Sequence, residues 1–342
     1  MSKVGIIANP AAGKDIRRLV SYATTSDNVK KAGIVRRAIL ALDSIGVNEI
    51  LLMPDSYSLG ERALDGIRSH ELQCRVCFLD MPITGGMPDT VKAARLMNEQ
   101  GVDCIITLGG DGTNRAVAHS CGQVPIVPIS TGTNNVFPFM VEGTTAGLAA
   151  GIFAQGIVDP NKFALQTKKL NIIRNGQLID LGLIDIVVVD ELFIGSKAIL
   201  DISRVKEIIL TQGHPSHIGM ASIAGNFHPI GAEDSHGLYL RLGKDNLRVK
   251  AAIAPGMICD VEIAEYRVLN LHDRVEVVDK PSILALDGER EVEVRREDRV
   301  EIELNRNGPR VVKIAETLEE AVRLGYFTGS RVLTPEFCLG SG

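Results

Sequence analysis

Apolar residues recur in two rhythms along the chain. Up to about residue 155, short runs that are apolar on consecutive positions alternate with stretches apolar at helical spacing. The runs 4–8, 49–53, 74–79, 103–108 and 124–129 predict strands buried on both faces. Between them, 30–42 places Ile34, Val35, Ala38, Ile39 and Leu42 at helical spacing. The stretches 59–69, 89–100, 113–120, 135–140 and 145–155 also read as helices, with Asp89 as an N-cap. This alternation predicts a doubly wound parallel sheet.

The rhythm changes near Asp159-Pro160. Beyond it come β-branched runs at 169–174, 183–189, 204–210, 238–242, 247–253, 259–264, 274–278 and 299–304. Glu291-Val-Glu-Val-Arg and Arg299-Val-Glu-Ile-Glu-Leu keep their apolar residues on one face, and Asn175-Gly176 and Asn307-Gly308 are hairpin signals. The fold class expected is α/β plus β: an N-terminal doubly wound parallel α/β domain over 1–158 and a mainly antiparallel β domain over 159–314. A helix near 317–324 and a tail (315–342) are expected to pack back on the first domain. The polar stretch 13–31 shows no period and is expected to be the most mobile loop.

At 342 residues, 45% apolar and 23% charged, the chain is long enough for two cores. Aromatics are 4% and Trp is absent, so those cores are built from Val, Ile, Leu and Ala. A net charge of −5 argues against a general nucleic-acid binder and leaves a small anionic ligand open. No apolar stretch approaches the roughly 20 residues of a membrane span, and the opening MSKVGIIANP reads as a strand rather than a signal peptide. Cys74, Cys77, Cys104, Cys121, Cys259 and Cys338 form no paired zinc spacing; all six are read as reduced thiols of a cytoplasmic protein.

The strongest chemical signal is Gly109-Gly110-Asp111-Gly112-Thr113-Asn114, which follows a predicted strand and opens a predicted helix. Ligands of open α/β sheets sit at the carboxyl ends of strands, and a helix N-terminus presents free N–H groups to phosphate. Glycines let the backbone approach a ligand and permit positive φ. A tight turn with a cap explains one Gly and one polar residue, not a Gly-Gly-Asp-Gly-Thr run. The next strand ends in Ser130-Thr131-Gly132-Thr133-Asn134-Asn135, a second small polar loop. Alone it reads as turns and caps. Beside the first loop it completes a polar crevice suited to nucleotide phosphates and ribose.

GGDGT followed by a strand and a GTxN loop, in an α/β domain joined to a β domain, resembles the superfamily of ATP-NAD kinases and diacylglycerol or sphingosine kinases. The opening Ile7-Ala8-Asn9-Pro10 is similar to its first strand and turn. GGDGTN, STGTNNVFP and Ile223-Ala-Gly-Asn-Phe-His-Pro look most like the ATP-NAD kinase-like branch that includes acetoin catabolism protein X. The resemblance implies that Asp111 is the catalytic acid, orienting or deprotonating a hydroxyl or meeting Mg²⁺ with the phosphates. It implies that Asn9, Gly109, Gly110, Gly112, Thr113, Asn114, Thr131, Gly132, Thr133, Asn134 and Asn135 line the nucleotide site. It implies that Asp287, Gly288 and Glu289 match the DGE segment of the lipid-kinase relatives, with Glu289 supporting catalysis; Asp-Gly here also spells a hairpin turn. Dinucleotide kinases carry an Asn-acid pair before a β-strand. The matching positions here are Ile184-Asp185, so Asp185 is the expected recognition acid without its Asn partner.

The function so implied is an ATP-dependent small-molecule kinase acting on the adenosine ribose 2′-hydroxyl of NAD, with Mg²⁺ held largely by ATP. The rival readings are a kinase of another hydroxyl substrate, lipid-like or a small metabolite, and a nucleotide-binding regulator associated with acetoin catabolism. A homo-oligomer is expected. Residues 8–15 depart from a P-loop, since the first Gly is missing and Asp15 replaces Ser/Thr. His214, His217, His228 and His236 lack the companions of a metal site, and Lys30, Lys31, Arg36 and Arg37 read as the solvated ends and face of a helix.

Overall fold

Strands apolar on consecutive positions need cover on both sides, and the inner strands of the first sheet have it; the run at 74–79 differs from expectation, because it forms the edge strand, where Arg75 and Phe78 stay exposed. The computed structural model describes residues 1–13, 27–68, 71–132, 134–191 and 201–328, with only the backbone at 245, 246, 290 and 291. The first half runs β1 (Lys3–Ala8), α1 (Asn28–Ser44), β2 (Glu49–Leu52), α2 (Leu59–Leu64), β3 (Arg75–Phe78), α3 (Met87–Glu99), β4 (Cys104–Gly109), α4 (Asp111–Ala118), β5 (Ile126–Ser130) and α5 (Gly143–Ala154). A short α6 (Pro160–Phe163) and β6 (Ala164–Gln166) follow. The second half contains β7 (Lys169–Arg174), β8 (Gln177–Gly182), β9 (Asp185–Val189), β10 (Val205–Leu210), α7 (Met220–Phe227), β11 (His236–Ala254) and β12 (Met257–Asn270). It closes with β13 (Arg274–Glu276), β14 (Ser282–Leu286), β15 (Glu289–Val294), β16 (Val300–Asn305), β17 (Arg310–Val312) and α8 (Ile314–Arg323).

The first sheet has the order β3-β2-β1-β4-β5-β17-β6. Its first five strands are mutually parallel, β17 joins β5 in parallel, and β6 is antiparallel to β17. Val4, Ile6, Ile50, Leu52, Ile106 and Leu108 bury one face with the apolar sides of α1 and α5. Ile7, Leu51 and Ile105 bury the other face in a cluster that includes Ala93 and Met97 of α3 and Val117 of α4. Glycines at three successive turns of α5 make its contact with α1 possible: a Cβ at Gly147 would stand 2.7 Å from the Ala38 carbonyl oxygen.

The two remaining sheets are antiparallel, with orders β12-β11-β10-β9-β14-β15 and β13-β16-β7-β8. Alternation along β9 divides its side chains. Ile186 and Val188 join a core with Leu170 and Ile302 between these sheets, whereas Val187 and Val189 share the cluster that also holds α3 and α4. That second cluster seats the β half against the helices of the first sheet. The doubly wound parallel α/β plus antiparallel β class is as expected.

Several elements differ from expectation. Residues 135–140 form no helix: the Phe139 N–H bonds Pro128 O and the Ser130 N–H bonds Phe139 O, so an isolated bridge to β5 replaces the helical turn. Pro138 disfavours a helix there as well. The runs 238–242 and 247–253 are one strand; Leu242 and Leu247 both oppose Ile263, and residues 243–246 bulge from the ladder. Asp89 is not an N-cap, since α3 begins at Met87 and the Asp89 carboxylate accepts the N–H groups of Thr84 and Gly85. Lys31, expected in solvent, is fully buried. α8 packs on the α1 and α5 side of the first sheet, where Ala321 is buried. The loop expected over 13–31 lies mostly outside the described residues, as do Cys338 and the tail beyond 328. The five described cysteines are free thiols, and no described helix is long and apolar enough to cross a membrane.

Candidate active site

The first sheet reverses its winding between β1 and β4, and the crevice outside their carboxyl ends is where such sheets take ligands. Asn9 leaves β1 there, its N–H bonding Leu108 O at 3.0 Å and its Nδ2 donating to Thr113 Oγ1 at 2.9 Å. Lys31 reaches beneath this loop from α1. Its Nζ donates to the carbonyl oxygens of Asn9, Pro10 and Ala12, at 3.2, 2.9 and 2.6 Å. The buried ammonium thus fixes the turn after β1.

Gly109 ends β4 and Gly110 is the N-cap position of α4. Neither they nor Gly112 and Gly132 take a positive φ; these glycines serve close approach instead. A Cβ on Gly109 would stand 2.4 Å from Thr113 Oγ1, and one on Gly110 would stand 2.7 Å from Asn135 Oδ1. The two loops therefore pack on each other. The Thr131 N–H bonds Gly109 O at 3.3 Å, and Asn135 Nδ2 donates to Ser130 Oγ at 2.8 Å. The Asp111 carboxylate joins them too: Oδ1 accepts the Phe137 N–H at 2.8 Å, and both oxygens accept the Val136 N–H at 3.1 Å. Asp111 is thereby oriented by the second loop.

Asn114, expected to touch nucleotide, is fully buried. Its Oδ1 accepts from Thr107 Oγ1 at 2.6 Å and its Nδ2 donates to Gly110 O at 2.9 Å, so it shapes the first loop from behind. Gly132 and Asn134 are half-buried at the crevice, and Thr133 lies outside the described residues. Thr131 Oγ1 is buried and has no hydrogen-bond partner among the described residues, a hydroxyl suited to a bound anion.

The β half brings its own acids to this place. Asp287 and Gly288, with φ of 51° and 84°, form the two-residue connection between β14 and β15, as Asp-Gly favours. The turn delivers Glu289 to the first loop: a Cβ on Gly112 would stand 3.4 Å from Glu289 Oε1. Asp287 itself does not face the crevice. Its fully buried carboxylate accepts the N–H groups of Leu183, Ile184 and Asp185, with Oδ1 distances of 3.0, 2.7 and 3.3 Å. Burial pushes its pKa up, while the Arg115 guanidinium and those N–H groups pull it back. Asp185 begins β9, is buried, and bonds Asp287 through the backbone as well. Ile184 is buried in the core shared with α3 and α4, not in the crevice.

Sequence reading passed over Arg115, Asp180 and His119. Arg115 is the fifth residue of α4, and its guanidinium lies 3.7 Å from Asp287 Oδ2 and 3.6 Å from Asp180 Oδ1. His119 Nε2 meets the same Asp180 oxygen at 3.1 Å. Burial raises the Asp180 pKa, but the bonds from His119 and the Leu181 N–H and the Arg115 charge bring it below the usual value. An arginine beside Ala116 and Val117 in a short helix was the available signal.

Two family models match the chain: the ATP-NAD kinase N-terminal domain over residues 4–157 and the acetoin catabolism protein X C-terminal domain over residues 168–307. Acetoin catabolism protein X of Cupriavidus necator is 37% identical over 331 residues, spanning 94% of this chain and 92% of the relative. The chain belongs to the ATP-NAD kinase-like family, in its acetoin catabolism protein X branch. It shares its fold with the crystal structure of yeast NADH kinase complexed with NADH, at a TM-score of 0.54 and 15% identity over 98% of this chain and 90% of that one. A diacylglycerol kinase from Bacillus anthracis str. Sterne aligns at a TM-score of 0.45 and 13% identity, over 91% and 96% of the two chains.

The packing of the loops sets one expectation. Gly110→Val would push Asn135 out of place, and nucleotide affinity should fall at least about tenfold, roughly 1.4 kcal/mol. Calorimetric titration with ATP and with NAD reads the loss directly, and thermal melting should fall by only a few degrees. Parental affinity for every nucleotide would put the crevice elsewhere.

Proposed function

We propose that the chain is an ATP-dependent phosphotransferase acting on a hydroxyl, with the adenosine ribose 2′-hydroxyl of NAD as the acceptor. The observation that carries this reading is the approach of Glu289 to Gly112, one residue from Asp111. Two carboxylates from different halves of the molecule thus flank one glycine loop at a helix N-terminus. Phosphoryl transfer is achieved mainly by positioning and charge stabilisation. The N–H groups of the two loops and Thr131 Oγ1 would receive phosphate oxygens. Asp111, oriented by Val136 and Phe137, would accept the proton of the attacking hydroxyl, and Glu289 would steady that hydroxyl.

Among the described residues no cluster of three or more His, Cys, Asp or Glu side chains is arranged to hold a metal ion. Asp111 and Glu289 supply one or two hard oxygen donors, which suits Mg²⁺ that arrives on the phosphates of ATP. Such an ion neutralises charge on the transferring phosphoryl group.

A second reading, another small hydroxyl substrate, is favoured by one specific observation. The position where dinucleotide kinases place Asn is Ile184, and Ile184 is core. Paired variants separate the two. If NAD is the acceptor, Asp185→Ala should raise the KM for NAD about tenfold or more, as for a charged hydrogen bond of roughly 1.5–3 kcal/mol. Glu289→Gln should be damaging with either acceptor, whereas Asp185→Ala should alter stability alone if another hydroxyl is the acceptor. Steady-state kinetics on NAD and on a panel of hydroxyl compounds, with thermal melts alongside, decides. Loss of NADP formation in Glu289→Gln with a fully active Asp185→Ala would overturn the assignment of Asp185.

A further inference from the structure

We propose that Arg115 is a positioning residue that holds the Asp287-Gly288-Glu289 turn over the Asp111-Gly112 loop. The inference rests on the phosphotransferase reading for its catalytic consequence, and on geometry alone for the clamp itself. Arg115 lies one helical turn after Asp111, on the helix that the glycine loop opens. Its side chain is 1% exposed, yet it is one of the longest and most polar in the chain. Nothing about helix α4 alone requires a charge at that depth; Ala116 and Val117 beside it are ordinary core residues.

The guanidinium stands at ion-pair distance from two carboxylates, both from the β half. Asp287 sits in the β14–β15 turn and Asp180 on β8, so a single side chain ties α4 to two separate elements across the junction. His119, the C-cap residue of α4, meets Asp180 as well. Asp287 passes the constraint on. Its carboxylate gathers the N–H groups of Leu183, Ile184 and Asp185, and its own N–H bonds Asp185 O at 3.0 Å. The turn is therefore fixed to the start of β9 on one side and to α4 on the other. Glu289 is two residues beyond Asp287 and already at Gly112.

A buried ion pair of this kind is weak evidence for stability, because desolvation offsets its attraction and an apolar pair of the same volume does as well. A buried guanidinium 3.6 and 3.7 Å from two carboxylates does draw the groups it joins toward one place, which an apolar contact does not. Reacting groups moved by about 1 Å can lose on the order of 10²-fold in rate. The arrangement suits a device that sets the separation of Asp111 and Glu289.

The test compares Arg115→Met, Arg115→Lys, Asp287→Asn and the double variant Arg115→Met/Asp287→Asn in the full chain. Amide hydrogen exchange at residues 183–185 and 287–289 reads the clamp without any turnover. MgATP titration, and kcat and KM with NAD and the hydroxyl panel as acceptors, read its consequence. In Arg115→Met, exchange at both segments should quicken about tenfold or more while that of β4 stays parental. The kcat should fall on the order of 10²-fold with the KM for MgATP within about threefold of the parent. Arg115→Lys should recover part of kcat. The double variant, freed of an uncompensated buried carboxylate, should regain melting temperature but not kcat. If Arg115→Met does not fold, the Lys and double variants carry the same readouts. Parental exchange at 287–289 in a folded variant without the guanidinium overturns the clamp. Quickened exchange with parental kcat overturns the positioning role, as does a double variant that recovers both. Should the parent transfer phosphate to nothing on the panel, the phosphotransferase reading falls, and the exchange measurement still decides the clamp.

Discussion

Asp111→Asn should lower turnover by about 10²-fold or more, the usual scale for losing a positioned base. The carboxylate leads α4 at the carboxyl end of β4 and lies one residue from the glycine that Glu289 approaches. It is also a structural group, because it accepts the N–H groups of Val136 and Phe137. An Asn would turn an NH₂ toward one of those donors, so the variant should also lose about 1 kcal/mol of stability, the cost of a mismatched, half-buried hydrogen bond. The two effects separate by measurement. Urea titration reports the second, and turnover at a temperature where the variant is fully folded reports the first. MgATP affinity should fall by less than about tenfold. A folded variant with near-parental turnover would mean that Asp111 only joins the loops.

Ile184→Asn should destabilise the protein by about 3–5 kcal/mol, through loss of a core aliphatic side chain and burial of an amide without partners. The position tempts an engineer, since it would restore the Asn-acid pair of dinucleotide kinases. The backbone forbids the benefit. The Ile184 N–H bonds Asp287 Oδ1 at 2.7 Å and its carbonyl accepts the Thr211 N–H at 2.9 Å, which aims the side chain into the shared core. Chemical denaturation of the variant should show a lowered midpoint, and calorimetry should show no gain in NAD affinity. Near-parental stability with tighter NAD binding would place residue 184 in the crevice.

The parallel sheet was legible because its strands carry runs of consecutive apolar residues, and the two loops because Gly-Gly-Asp-Gly-Thr and the Ser-Thr-Gly cluster follow strands directly. What local sequence did not disclose are the ties between distant segments. Lys31 looked like a solvated helix end beside Lys30, although it falls on the same helical stripe as Val35 and Ala38; its carbonyl partners come from another segment, and no local pattern announces them. Asp287 read equally well as a turn residue and as a site acid. It is the turn, and its carboxylate is turned inward to β9 while Glu289 faces the loop. Asn114 belonged to the motif by spelling, but Thr107 and Gly110 engage its amide from behind. The 238–242 and 247–253 runs fused because a polar insertion can bulge from one strand of a ladder without ending it.

Incubation of the purified protein with MgATP and NAD, with NADP measured enzymatically and ATP consumption followed in parallel against a panel of other hydroxyl acceptors, decides whether the crevice transfers phosphate. Stoichiometric transfer of phosphate to a hydroxyl is expected, with NADP formed from NAD, and at least about a 10²-fold loss in Asp111→Asn. Tight nucleotide binding with no transfer to any acceptor would contradict it, and would identify the crevice as the sensor of a regulator built on a kinase fold.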